Sequence, residues 1–176
     1  VSAADAYLKS LIREVPDFPG PGILFRDITP LLQEPAGLQQ AVEAMLGPFA
    51  GERLDLIAGI ESRGFILAAP MALRRGCGLV LIRKPGKLPA ATLSQEYQLE
   101  YGRDAVEIHR DAVRPGQRVL LVDDVLATGG TMAAACQLVA GLEGEVAGIS
   151  FLLELRGLQG RAKLGRFRVE SAIQYA

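Results

Sequence analysis

Two adjacent carboxylates, Asp123 and Asp124, are followed closely by Ala127-Thr128-Gly129-Gly130-Thr131. These residue types suit a phosphorylated sugar. Gly129 and Gly130 can take positive φ and let the backbone approach a ligand closely. Successive amides then form an anion nest, and a helix starting there adds its N-terminal dipole. Thr128 and Thr131 can donate hydroxyl hydrogen bonds to phosphate oxygens. Bare carboxylates repel phosphate, so the acids are better suited to sugar hydroxyls or to a metal.

A second polar turn, Glu61-Ser62-Arg63-Gly64, follows the apolar run 54–60. Arg63 is either an ordinary surface arginine or a guanidinium placed to hold diphosphate oxygens. Arg83, Lys84 and Lys87 form a basic cluster among Pro85, Gly86 and Pro89. Such a cluster is solvated surface unless its loop is a lid, as long loops in compact domains often are. A nucleoside triphosphatase does not fit. Asp123 could pass for a Walker-B acid, but no G-x-x-x-x-G-K-[ST] occurs in the chain.

The elements that must carry these groups can be read from apolar spacing. Val119 to Val122 is wholly apolar and too short for a helix, as in a parallel strand buried on both faces. The runs 54–60, 78–83 and 146–155 read as further strands, 104–109 as a half-buried antiparallel one, and 167–175 as a weak terminal one. Helices are predicted over 65–75 and after Thr131, where Met132, Cys136, Val139 and Ala140 share a face, with a short one at 157–164. Pro35 is placed to open another, with Leu38, Val42, Met45, Leu46 and Phe49 inward. Leu8, Leu11, Ile12 and Val15 predict a first helix ended by Pro16. The proline- and glycine-rich stretch 17–30 and the segment 84–102 are predicted to be irregular. The first is either a loop pinned to the core or the wall of a pocket. His109, the only histidine, is expected to be exposed and without a partner. The fold class is α/β: one domain over 1–176, with a central, mostly parallel twisted sheet flanked by helices and a small hood or lid region. In such sheets ligands bind beyond the carboxyl ends of the strands.

Composition sets bounds. With 176 residues, 49% hydrophobic and 22% charged, the chain is long enough for one well-packed domain. A net charge of −1 offers no global field for nucleic acid or membrane, so neither is an expected partner. Cys77 and Cys136 suggest neither a disulfide framework nor a zinc site. No apolar run approaches the roughly 18 residues of a membrane span, and no signal-peptide pattern is present, so a cytoplasmic location is expected.

The run from Arg118 to Thr131 resembles the phosphoribosyl-diphosphate signature of the type I phosphoribosyltransferases. Phe18 to Asp27, Glu61 to Phe65, Arg83 to Pro89 and Leu99 to Gly102 narrow the resemblance to their adenine-specific branch. It extends from Val15 to about Leu164; the segment from Arg166 carries little of it and receives no role. The resemblance implies transfer of the phosphoribosyl group from phosphoribosyl diphosphate to adenine, giving AMP and diphosphate. It implies Mg²⁺ bound mainly through the substrate's diphosphate, with no direct protein ligand, and a homodimer. Asp123 and Asp124 would hold the ribose hydroxyls, and Ala127 to Thr131 the 5′-phosphate. Glu61, Ser62 and Arg63, with Arg83, Lys84 and Lys87, would hold diphosphate, across a non-proline cis peptide between Glu61 and Ser62. The base would lie against Phe25, Val125 and Leu155, read by backbone groups of Leu24 and Arg26. Residues 1–33 would form the N-terminal helix and hood, and 84–102 a mobile lid carrying Glu100 and Tyr101. Glu100 and Arg63 are the expected catalytic residues, Glu100 as acceptor of the N7 proton. Val125 stands where leucine is more usual, a difference of about one methylene that threatens no role. Two alternatives use the same fold: a regulator that senses phosphoribosyl diphosphate, and an enzyme for another base. The first needs a DNA-binding module that residues 1–30 do not supply.

Overall fold

The computed structural model describes residues 3–98 and 102–176. Its centre is a five-stranded sheet built from β3 (Leu56–Ile60), β4 (Gly78–Ile82), β7 (Arg118–Leu126), β8 (Glu145–Leu155) and β9 (Val169–Tyr175). Their order is β4-β3-β7-β8-β9, and every pairing is parallel. Val119 to Val122 are 0% exposed, which is why the central strand has no polar face. On one side pack α3 (Pro35–Leu46) and α4 (Arg63–Arg75), with α1 (Ala3–Ser10) and the short α2 (Thr29–Gln33). On the other lies α5 (Gly130–Gly141), covered by a hairpin of β5 (Thr92–Gln98) and β6 (Arg103–His109). Among the described residues no helix is long and apolar enough to cross a membrane.

The chain enters the sheet at β3, steps outward to β4, and returns to the opposite side of β3 as β7. The strand order therefore reverses between β3 and β7, and a crevice opens beyond their carboxyl ends. Glycine allows the close approach there. A Cβ on Gly64, at the start of α4, would stand 2.9 Å from the Val122 carbonyl and 3.1 Å from Asp123 Oδ1.

Three local expectations need correction. The first helix stops at Ser10 rather than Val15, because Arg13–Pro16 is β1, paired antiparallel with β2 (Leu24–Asp27). The turn between them closes through Gly22 N donating to Asp17 Oδ1 at 2.7 Å and Phe18 N donating to the Ile23 carbonyl at 3.2 Å. The strand pairing so formed overrides the helical spacing of Val15, and it also makes part of 17–30 regular. The segment 84–102 is likewise not irregular throughout, since Thr92–Gln98 is β5. Its alternation is carried only by Leu93, Gln95 and Tyr97, which turn partly inward, and polar neighbours obscure it. His109 is only half-exposed, and its Nε2 accepts a hydrogen bond from Ala90 N at 3.3 Å. Smaller differences lie at the ends: β7 continues through Leu126, and 157–164 is two 3-10 turns, Arg156–Leu158 and Gly160–Leu164.

Asp55 pins the start of the central strand. Its Oδ2 accepts from Arg118 N at 2.8 Å and from Arg53 Nη2 at 2.9 Å. The backbone hydrogen bond from Arg118, more than the arginine charges, lowers the Asp55 pKa below its ordinary 3.8. A carboxyl whose folded pKa lies below its unfolded one stabilises the fold above the unfolded value, and loses that effect as pH falls through the folded value. Asp55→Asn is accordingly expected to be less stable than the parent at neutral pH, with the difference closing below about pH 4. Urea unfolding at a series of pH values measures it, and a pH-independent difference refutes the assignment.

Candidate active site

The crevice beyond β3 and β7 holds a cleft of about 500 Å³. Its apolar wall is Ile23, Leu24 and Phe25 from the first hairpin, with Ile60, Val125, Leu155 and Leu158. Its polar wall is Arg26, Glu61, Ser62, Arg63, Lys84, Asp123, Asp124 and Thr131. Phe25 is held edge-to-face by Phe18, with ring centroids 5.1 Å apart, and the Arg63 guanidinium lies 5.9 Å from its centroid. Phe18, Ile23 and Leu24 remain exposed. Apolar side chains left in water around a cleft suit a flat, weakly polar ligand.

A smaller hollow of about 80 Å³ adjoins the cleft, lined by Ala127, Thr128, Gly129, Gly130, Thr131 and Met132. Gly129 sits at φ +77° and α5 starts at the next residue. The first amides of a helix have no intrahelical acceptor, and no side chain caps these. A helix end of this kind suits an anion.

The charged groups divide into three internally paired sets. Arg63 Nε donates to Asp124 Oδ2, the aspartate being buried and the arginine 45% exposed. Burial opposes the charge on Arg63, but the bond to Asp124 outweighs it and raises the guanidinium pKa. Asp123 is different. Its Oδ1 accepts from Asp124 N at 2.9 Å, and burial, then the neighbouring Asp124 charge, push its pKa well above 3.8. Two acids that look equivalent in sequence therefore differ: one is paired with arginine, and the pKa of the other is raised by burial and by its neighbour's charge.

Glu61 accepts from Lys84 N at 3.0 Å and from Arg83 Nε and Nη2 at 3.2 and 3.3 Å. The backbone bond from Lys84 is the main reason its pKa is lowered. Arg83 Nη1 also donates to the Lys87 carbonyl at 3.0 Å, so Glu61 and Arg83 shape the basic loop. Lys84 alone of that cluster lines the cleft. Its Nζ donates to Asp104 and, at 2.8 Å, to the Tyr97 hydroxyl. Burial opposes the lysine charge, but these two bonds raise its pKa.

The expected site residues are thus largely brought together: Leu24, Phe25, Arg26, Val125 and Leu155 with Glu61, Ser62, Arg63, Lys84, Asp123, Asp124 and the phosphate loop. The peptide bond between Glu61 and Ser62 is cis. Arg83 and Lys87 stand outside the cleft wall. Glu100 and Tyr101 lie outside the described residues. Sequence reasoning missed Tyr97 and Asp104, which hold Lys84, and Ile23 and Leu158, which complete the apolar wall. Asp104 could have been found from period-2 alternation across the hairpin, since it faces Tyr97 in register.

Comparison with known proteins agrees with this geometry. A family model described as phosphoribosyl transferase domain matches residues 31–166. An adenine phosphoribosyltransferase of Acaryochloris marina is 55% identical over 168 residues, covering 96% of this chain and 99% of that protein. A crystal structure of the Thermoanaerobacter pseudethanolicus adenine phosphoribosyltransferase matches with TM-score 0.94 and 52% identity, over 97% of this chain and 99% of that one. The Saccharomyces cerevisiae adenine phosphoribosyltransferase, solved with an imino-altritol bisphosphate and adenine, matches with TM-score 0.92 and 38% identity over 98% and 99%. With a parallel sheet, a glycine-rich loop at its switch point and relatives this similar along nearly their whole length, the chain belongs to the phosphoribosyltransferase family, among the adenine phosphoribosyltransferases.

Proposed function

We propose that this chain transfers the 5-phosphoribosyl group from phosphoribosyl diphosphate to adenine, releasing AMP and diphosphate. The observation that carries the reading is the junction of an uncapped helix N-terminus, a pair of aspartates and an apolar slot in one crevice. The Ala127 to Thr131 amides and hydroxyls take the 5′-phosphate. Asp123 and Asp124 accept from the ribose hydroxyls. Arg63 and Lys84 lie where the diphosphate leaves, with Arg83 and Lys87 reaching it from the basic loop as Glu61 and Ser62 hold that turn. Each cation must first exchange its present carboxylate for the ligand's oxygens.

Attack of purine N9 on the anomeric carbon forms the new C–N bond as the C–O bond to diphosphate breaks. The bonding electrons leave on diphosphate, and the transition state carries oxocarbenium charge. When the 7-H tautomer binds, the N7 proton passes to Glu100, and Tyr101 belongs to the same lid. Closing the lid over the cleft also excludes water, which would otherwise hydrolyse the activated sugar. Mg²⁺ carried on the diphosphate would neutralise charge on the leaving group. The acids of the cleft have other roles in this reading, Asp123 and Asp124 on the ribose hydroxyls and Glu61 on the basic turn, which leaves such an ion to the substrate's own oxygens.

Adenine lies between Phe25, Val125 and Leu155, its 6-amino edge read by backbone groups of Leu24 and Arg26. A carbonyl accepting from the amino group beside an amide donating to N1 rejects a 6-oxo purine, whose pattern is reversed and would leave buried polar groups unpaired. A homodimer is the proposed assembly. Its support is the family together with the apolar side chains that α4 and β4 leave in water, Ile66, Leu73, Leu79 and Leu81.

In competition assays adenine is expected to be used about 10⁴-fold more efficiently than hypoxanthine, and faster turnover of hypoxanthine would overturn the backbone-reading argument. Glu100→Gln should lower kcat by about 10²–10⁴-fold while leaving affinity for phosphoribosyl diphosphate nearly intact; rapid-quench and binding measurements separate the two, and an unchanged kcat removes Glu100 from the proton transfer. Sedimentation equilibrium at micromolar concentration should return twice the chain mass. A monomer there excludes the dimer.

A further inference from the structure

One buried polar cluster lies beneath the phosphate loop rather than in the cleft. Glu154, next to last in β8, is 4% exposed. Arg161 Nε and Nη2 donate to its two oxygens at 2.7 and 2.8 Å, and Ser171 Oγ donates to it at 2.9 Å. Arg161 Nη1 donates to the Val169 carbonyl at 2.7 Å. Burial tends to raise the Glu154 pKa, but the bonds from Arg161 and Ser171 prevail and lower it. A two-bond arginine–carboxylate fork fixes orientation as well as distance, and removing Arg161, itself 41% exposed, takes the main partner from the buried Glu154 carboxylate.

Arg161 belongs to the 3-10 turn Gly160–Leu164, and the residue before it is the one that meets the loop. A Cβ on Gly160 would stand 2.3 Å from the Ala127 carbonyl, and a Cβ on Gly129 would stand 2.5 Å from the Gly160 carbonyl. The two backbones touch with no side chain between them to absorb a shift. Wherever the turn sits, the loop must sit.

We infer that Arg161 and Glu154 are positioning residues for the 5′-phosphate, acting through Gly160 on the amides of residues 127–131. The inference rests on the proposed reading of that loop as the phosphate site. Neither side chain lines the cleft, so their loss is expected to bear first on how the loop is held.

Steady-state kinetics on Arg161→Ala test this, with Glu154→Gln as an isosteric second variant should the first fail to fold. Thr131→Ala marks the loop directly. Ser150→Ala removes a buried hydrogen bond elsewhere, from Ser150 Oγ to the Met45 carbonyl at 2.9 Å. The expected result for either clamp variant is a KM for phosphoribosyl diphosphate raised about tenfold, with the adenine KM within about twofold. Ser150→Ala, though destabilised, should leave both constants unchanged, which separates positioning from general loosening. An unchanged KM for phosphoribosyl diphosphate, or equal rises in both constants, overturns the clamp. When Thr131→Ala raises that KM and the clamp variants do not, the clamp alone is wrong; when Thr131→Ala has no effect either, the phosphate-site reading falls and the clamp with it.

Discussion

Strands β3 and β7 run side by side with Leu56 opposite Val119 and Gly59 opposite Val122. In this parallel register β3 pairs no further than Val122, so Glu61-Ser62-Arg63 turns away beside Asp123-Asp124, which β7 carries past the last β3 pairing. Small residues permit the approach: a Cβ on Gly59 would stand 2.9 Å from the Ala68 Cβ and 3.0 Å from the Gly64 carbonyl. Larger residues at Gly59 or Gly64 would push α4 off the sheet and carry Arg63 away from Asp124. The remainder of the site is arranged around this contact.

The electrostatics of the cleft follow from that closeness. A buried charge needs a partner, and the protein supplies one from within for each strongly placed cation: Asp124 for Arg63, Glu61 for Arg83, Asp104 for Lys84. A polyanionic ligand offers the same cations replacement oxygens, so binding exchanges one set of ion pairs for another. For Asp123, burial and then the neighbouring Asp124 charge raise the pKa more than Arg63 lowers it.

The C-terminal strand, to which the sequence assigned nothing, supports both halves of the cleft. Ser171 Oγ donates to Glu154 and the Val169 carbonyl accepts from Arg161, next to the Gly160 contact with the 127–131 loop. At the other end Tyr175 lies beneath the Arg26 guanidinium, 4.1 Å from the ring centroid, while Arg26 also donates to Glu14 of β1. β9 thus anchors the hood hairpin and the loop to one edge of the sheet.

Local chemistry was legible in the residues themselves. The apolar run 119–122, the glycines after the paired acids and the polar tip at Glu61 specify strands ending in an anion-binding loop, because burial, backbone freedom and charge are properties of short segments. The hairpin at 13–27 was not legible, and of the one at 92–109 only the strand 104–109 was. Strand pairing draws its stability from a partner distant in the chain, and Val15 or Gln95 carries no mark of which partner that is. Strand order, the separate fates of Asp123 and Asp124, and the support that Gly160 and Arg161 give the loop also belong to the tertiary structure. Each depends on which backbones and charges come within a few ångströms across the sheet, and sequence spacing holds no record of that distance.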